Sequence, residues 1–264
     1  MLSGRFAVFI VVLWMSMALL ASTWDLSPNV INLPKMFAAP EWSSLLGYDD
    51  LGRPLMDRLL IGARVSFWVS LWVISLSMSI GVLLGAFAAY AGGLADQVLV
   101  RIIDVFLAFP GILLAIALAA VLGPGVENIV FALSVVGWVG FARLSRAQVL
   151  SLKRRDHVLA ARVLGASRWR IITRHLLLLS VAPFIVEATF GVAAVIVSEA
   201  GLSFLGLGVQ PPDASWGSMI RDGARYMLVA PHMVLAPGLA LALVVLALNL
   251  LGDRLRDYLD VKHS

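Results

Sequence analysis

The stretch RLSRAQVLSLKRRDHVLAARVLGASRWRIITR, residues 143–174, holds nine of the chain's 20 basic residues and a single acid, Asp156. It lies between two apolar stretches, 128–142 and 175–198, of which only the second contains a charge, Glu187. A basic connection between apolar stretches is typical of a loop on the cytoplasmic side of a membrane. The stretch therefore indicates both a membrane fold and its orientation.

The composition of the whole chain agrees with this interpretation. Of 264 residues, 61% are hydrophobic and 14% are charged, which excludes an ordinary soluble domain. About 20 helical residues cross a hydrocarbon core of roughly 30 Å. The windows that carry at most one charge are 6–24, 65–95, 105–126, 128–142, 175–198 and 226–252. They predict an all-α membrane protein of six transmembrane helices, the fourth continuing past Arg143 towards Leu150.

Counting spans outward from the basic loop places both termini in the cytoplasm. Residues 25–64, 123–128 and 199–227 then lie on the far side, where they carry no excess of Lys and Arg. The first window has an alternative as a secretory signal cleaved near residues 21–23, but its length favours a retained anchor. A nucleic-acid patch does not fit a basic stretch between two spans.

The spans divide the chain into two parts. Residues 1–64 are predicted to form the first helix and an extracytoplasmic connection that ends in an interfacial helix beginning near Pro54. That helix either docks a partner outside or packs the connection onto the bundle. Residues 65–264 are predicted to form a five-helix core with a cytoplasmic loop at about 151–177.

The basic loop has its own helix signals. Residues 153–164 are compatible with a helix that Gly165 ends, and Ser167 is positioned to cap a second helix starting at Arg168. Ala160 and Ala161 are small enough for another subunit to approach the backbone closely. So short a unit buries too little to be stable alone, which predicts a docked loop; a solvated loop that sets topology only is the alternative.

A second irregular segment, Ser203–Pro212, lies on the far side. Gly206 and Gly208 precede a proline pair, so the helix cannot continue. Apolar side chains such as Phe204 nevertheless keep the segment at membrane depth, where non-helical backbone must be buried in protein or line a wet cavity. We expect an outer gate here.

The basic loop resembles the coupling loop of permease subunits of binding-protein-dependent ABC importers, in the second-permease (C-type) branch of the dipeptide, oligopeptide and nickel family. That signature reads Glu-Ala-Ala, three residues, Gly, nine residues, Ile-x-Leu-Pro. Ala160, Ala161, Gly165 and Leu177 are in register, whereas the Glu, Ile and Pro positions are Leu159, His175 and Leu178. Further blocks in matching order are Gly47-x-Asp49-x-x-Gly52-Arg53 with Arg58, Gly62, Arg64 and Ser66; Asp104-x-x-x-Ala108-Phe109-Pro110; Ser203–Pro212 with Ser215-Trp216-Gly217; and Asn249–Asp257.

This resemblance, over residues 44–260, implies a type I importer (MetI-like) transmembrane domain. The chain would be a permease subunit that moves a small solute, di- or oligopeptides first of all, across a bacterial or archaeal cytoplasmic membrane. Its partners would be a second permease in a heterodimer, two ATP-binding subunits, an extracytoplasmic solute-binding protein and lipid, but no nucleic acid. A nickel or other non-peptide permease of the same family is the alternative.

The resemblance also implies which residues act. The residues expected to contact the ATPase are Leu159, Ala160, Ala161, Gly165, Ala166, Ser167 and Arg168. Since the chain has no phosphate-binding loop, ATP and Mg would be bound by the partner ATPases, and we expect no enzyme activity, catalytic residue, cofactor or metal site here.

The candidates for the translocation path or outer gate are Glu187, Phe204, Gly206 and Gly208. Glu187 in mid-span either lines the path, where it meets a peptide amino terminus or a cation, or is protonated or hydrogen-bonded at the interface with the partner permease. Glu199 is expected to be interfacial. A secondary transporter and a signalling scaffold are rival functions, but neither explains the loop.

Overall fold

The computed structural model describes residues 2–42 and 44–260 of the chain. Regular structure in this part is helical, apart from two isolated bridges in the connection after the first helix. The helices are α1 (Leu2–Leu20), α2 (Leu55–Ala91), α3 (Gly93–Leu107), α4 (Gly111–Leu122), α5 (Val126–Leu152), α6 (Asp156–Val163), α7 (Arg168–Arg170), α8 (Val181–Phe204), α9 (Trp216–Ala224) and α10 (His232–Asp260). Between α7 and α8 the chain makes wide π-type turns over Ile171–Leu177 and a 3-10 turn over Leu178–Ser180. The predicted all-α fold is confirmed.

Helix α2 lies against α5 along small residues spaced four apart, namely Ser77, Gly81 and Gly85. A Cβ on Gly81 would overlap the carbonyl oxygen of Trp138, and one on Gly85 that of Ala142. Spacing of this kind lets two helix backbones approach closely in a membrane, where the hydrophobic effect does not drive helices together. This contact forms the centre of the bundle.

Helices α1, α8, α9 and α10 close the other side of α2. Their shared core includes Trp14, Ala63, Ile196, Met219 and Ala247, all of which are buried. Trp14 also packs edge-on against Phe67 with the ring centroids 5.6 Å apart. The first helix is therefore part of the bundle rather than a detached anchor.

Within the described residues, four helical runs have the length and composition of a membrane span: Leu55–Ala91, Val126–Leu152, Arg168–Phe204 and His232–Leu259. The apolar part of α1 is shorter. Helix α5 reaches Leu152, as predicted from the short fourth window.

The third predicted span, 105–126, is wrong as a single helix. The helical pair α3 and α4 is bent by 82° around residues 108–110, where Pro110 has no backbone N–H to continue the hydrogen bonds of α3. Helix α3 begins already at Gly93 and is held against α5 by Asp96, which accepts two hydrogen bonds from Arg146 at 2.6 and 2.8 Å.

The interfacial helix expected before residue 64 is not separate either. Pro54 caps the helix just before its first turn, and α2 then runs without interruption for 37 residues. The second span and the predicted interfacial helix are one helix, so residue 64 is not a break in the structure.

Candidate functional site: the coupling loop, the gate segment and the cavity

The residues that the sequence predicts to contact the ATPase or to form the path lie in three regions: two segments of the chain and a cavity lined by Glu187. We call residues 151–177 the coupling loop and residues 203–217 the gate segment. The coupling loop contacts one end of α2 and the gate segment contacts the other, so the two lie at opposite ends of the bundle.

The coupling loop has the predicted helix, turn and helix. Helix α6 ends at Val163, and Gly165 follows with φ +80°, a conformation that L side chains rarely adopt. The N–H of Ala166 donates to the carbonyl of Ala161 at 3.0 Å, which closes the turn. The Ser167 hydroxyl then accepts from the N–H of Arg170 at 3.3 Å and caps the next helical turn.

Side chains on two faces of the loop have different surroundings. Val158, Ala161 and Ile171 are buried, and Val158 and Ile171 pack with Ala86 and Ala89 of α2. The exposed residues include Leu159, Ala160, Val163, Leu164, Ser167 and Arg168. Ala161 therefore faces its own chain, unlike Ala160, and the sequence did not distinguish the two.

An apolar surface remains uncovered on α6. Val163 and Leu164 are 86% and 85% exposed, and Leu159 is 43% exposed. Leu159 occupies the position of the signature Glu and adds to this apolar surface. The arrangement suits a loop that is fixed to the bundle on one face and offers the other face to a protein.

The gate segment is closely packed against α2 and α8. Trp216 Nε1 donates to the carbonyl of Leu59 at 3.0 Å, and a Cβ on Gly62 would lie 2.6 Å from the Trp216 ring. Gly208 lies so close to Ser203 that a side chain there would overlap its hydroxyl. Phe204 remains 43% exposed, as a side chain available to a partner or to the path would be.

Arg58 ties the gate segment to the connection that precedes α2. Its side chain is 3% exposed, and its guanidinium donates to the carbonyls of Pro28 and Pro212, both at 3.3 Å. Its Nε lies 3.5 Å from Asp49, which also accepts from Arg53 at 2.6 Å. The resemblance included Asp49, Arg53 and Arg58, but only the structure shows that Arg58 contacts Pro212.

Glu199 is buried inside this chain, 1% exposed, rather than interfacial. Its carboxylate accepts from Ser66 at 3.1 Å and from Ser203 at 2.8 Å. It therefore joins α2, α8 and the start of the gate segment. Ser203 follows Glu199 by one helical turn, so the sequence already indicated that the two side chains could form a hydrogen bond. Ser66 is too distant in the sequence for its hydrogen bond to be predicted.

Glu187 has a different environment. It is exposed and lines a cavity of about 820 Å³ between α5, α8 and the end of α10, together with Gln148, Arg155 and Arg256. Leu144, Pro183, Phe190 and other apolar side chains form the rest of the wall. Because Phe204 follows Glu187 by 17 positions along α8, about 25 Å of helix lies between them. The four candidate path residues thus form two groups.

Comparison with known proteins agrees with these features. Residues 81–263 match the family described as binding-protein-dependent transport system inner membrane component. The glutathione transport system permease protein GsiD of Pectobacterium atrosepticum is 43% identical over 89% of this chain and 78% of its own length. The dipeptide permease DppC of Alkalihalophilus pseudofirmus is 41% identical over 92% of this chain and 79% of its own.

The nickel transport system permease protein NikC of Escherichia coli K12 is 38% identical over 98% of this chain and 94% of its own. A solved structure of the MetNI methionine ABC transporter in an inward-facing conformation shares the fold. Its TM-score is 0.57 at 18% identity, over 77% of this chain and 95% of that one. The chain is a member of the binding-protein-dependent transport system inner membrane component family.

Proposed function

We propose that this chain is the second permease subunit of an ABC importer in the cytoplasmic membrane, and that it converts ATP-driven movements of partner subunits into passage of a solute. The observation that carries this proposal is the coupling loop, whose Val158 face is buried on α2 while Val163 and Leu164 are exposed. An exposed apolar surface on a loop otherwise rich in Lys and Arg is best explained by a protein partner.

The assembled complex would contain a second permease, two ATPase subunits and a solute-binding protein. ATP and magnesium would bind the ATPases, and this chain would hold no cofactor. By the positive-inside rule the basic coupling loop faces the cytoplasm, which places both termini there and the gate segment outside.

Di- or oligopeptides are the proposed solutes. The cavity is lined by Glu187, by Arg155 and by apolar side chains, so it presents groups of both charges beside a hydrophobic surface. That combination suits a zwitterion with side chains better than a bare divalent cation, which Arg155 would repel. The glutathione and dipeptide permeases among the relatives support the same choice, and the nickel permease supports the alternative.

Uptake into vesicles that contain the whole complex tests the proposal. We expect accumulation of a labelled dipeptide only with ATP and the solute-binding protein, and no loss of uptake when ion gradients are dissipated. Uptake driven by an ion gradient without ATP would contradict the proposal and favour a secondary transporter. Uptake of nickel ions instead of peptide would contradict the proposed solute but not the importer function.

A further inference from the structure

The first turns of helix α2 contact the gate segment through several groups. Arg58 donates to Pro212, the Leu59 carbonyl accepts from Trp216, and Ser66 donates to Glu199 next to the segment. These contacts are hydrogen bonds among buried or half-buried groups, so they hold the gate segment to α2 in one geometry.

The last turns of the same helix contact the coupling loop. The rings of Phe87 and Trp169 are stacked with centroids 5.5 Å apart, and Lys153 Nζ donates to the carbonyl of Ala89 at 2.8 Å. Arg162 lies over the Tyr90 ring and donates to its hydroxyl at 3.3 Å. The loop is thus attached to α2 on both sides of its turn at Gly165.

Between these two ends α2 is regular. It runs for 37 residues, or about 54 Å, with no proline and no irregular turn. Two helices continue directly from the coupling loop. Helix α5, along which α2 packs, is also regular, whereas wide turns over Ile171–Leu177 and a tight turn over Leu178–Ser180 interrupt the helical hydrogen bonds before α8 begins. Such stretches within a helix often mark a hinge.

We infer that α2 is the element that carries displacement of the coupling loop to the gate segment, with Trp169 and Trp216 as the positioning residues at its two ends. The inference rests on the proposed function and adds to it the route of coupling within the subunit. It requires that coupling loop, α2 and gate segment move as one body during the transport cycle.

The first test is a distance between spin labels in the assembled, reconstituted complex. The chain contains no cysteine, so cysteines introduced at Arg170 and Leu205, both exposed, attach the labels to this chain at those two positions only. We expect the same distance in the nucleotide-free complex and in the complex trapped with ATP. A change of about 5 Å or more, the rise of one helical turn, would overturn the inference.

The second test interrupts α2 at a position that faces away from the core. Leu76 is 40% exposed, and Leu76→Pro removes a hydrogen bond of the helix without altering either end. Leu243→Pro is the matched control, because Leu243 is 42% exposed in α10, which already contains Pro237. We expect Leu76→Pro to lower peptide uptake about tenfold or more while the ATPase still co-purifies, and Leu243→Pro to keep most of it.

Equal uptake by the two proline variants would overturn the inference, whatever the distance measurement shows. If Leu76→Pro does not assemble, the distance in the unaltered complex decides alone. Failure of the proposed function gives a different result, because then no ATPase accompanies even the unaltered chain.

Discussion

Three charged residues within the helices of this chain, Arg58, Glu187 and Glu199, differ in their burial and in their partners. Arg58 and Glu199 are buried with hydrogen-bond partners, whereas Glu187 is exposed in the cavity. The sequence identified Glu187 as a candidate path residue because it is the charged residue in the apolar window 175–198. Buried Glu199 accepts a hydrogen bond from Ser66, which lies 133 positions earlier, and no local sequence pattern relates the two residues.

Glu187→Gln tests the role of the exposed carboxylate. The change removes the charge and keeps the shape, so we expect lower peptide uptake with unchanged co-purification of the ATPase. Glu127→Gln is the control, since Glu127 is exposed in the first turn of α5, away from the cavity. Unchanged uptake of several peptides by Glu187→Gln would exclude Glu187 from the path.

Arg58→Ala tests the junction between the gate segment and the connection before α2. The substitution leaves Asp49 without one cationic neighbour and two carbonyls without a donor. We expect a loss of about 3 kcal/mol in the free energy of unfolding, measured by thermal denaturation in detergent. Arg64→Ala, at an exposed position two turns further along α2, should change stability by less than about 0.5 kcal/mol. Equal effects of the two substitutions would show that the Arg58 contacts do not stabilise the fold.

At the scale of elements, α2 and α5 form the central contact through small residues. The spacing Ser77-x-x-x-Gly81-x-x-x-Gly85 is visible in the sequence, and it was a signal for close helix packing that the window analysis did not use. The same analysis assigned one transmembrane helix to each apolar window. It therefore missed the bend at Pro110 and the continuity of α2 through residue 64, because charge and hydropathy do not report helix direction.

Gly81→Ala tests the α2 and α5 contact. The added methyl group would overlap the Trp138 carbonyl, so the helices must separate, and we expect a loss of about 2 kcal/mol in the free energy of unfolding. Gly238→Ala in α10 is the control, because no atom lies within 4 Å of a Cβ there. Alanine favours the helix at that position, so a small gain is expected. A neutral effect of Gly81→Ala would contradict the close contact.

At the scale of the whole molecule, the sequence predicted the all-α membrane fold, the basic loop and the turn at Gly165. It did so because bilayer thickness, loop charge and backbone conformation each leave a local pattern. Contacts between distant segments leave no such pattern. The gate segment is held by Arg58 and Leu59, residues more than 140 positions earlier in the chain, and only the folded structure brings them together.

The proposed orientation makes a prediction for the whole molecule. The chain contains no cysteine, so single cysteines at Arg154 and Leu228, both exposed, report the side of the membrane directly. In intact cells a membrane-impermeant maleimide should label Leu228→Cys, and it should label Arg154→Cys only after the membrane is opened. The reverse pattern would contradict the assignment of the coupling loop to the cytoplasm.

The central claim is that the coupling loop joins this chain to an ATPase, and co-purification from mild detergent tests it most directly. Gly165 and Gly92 both have positive φ and open space around them, so Gly165→Pro and Gly92→Pro make matched changes inside and outside the loop. We predict that an ATPase subunit and a second permease accompany the unaltered chain and Gly92→Pro, while Gly165→Pro loses the ATPase. Retention of the ATPase by Gly165→Pro, or its absence from all three samples, would contradict the claim.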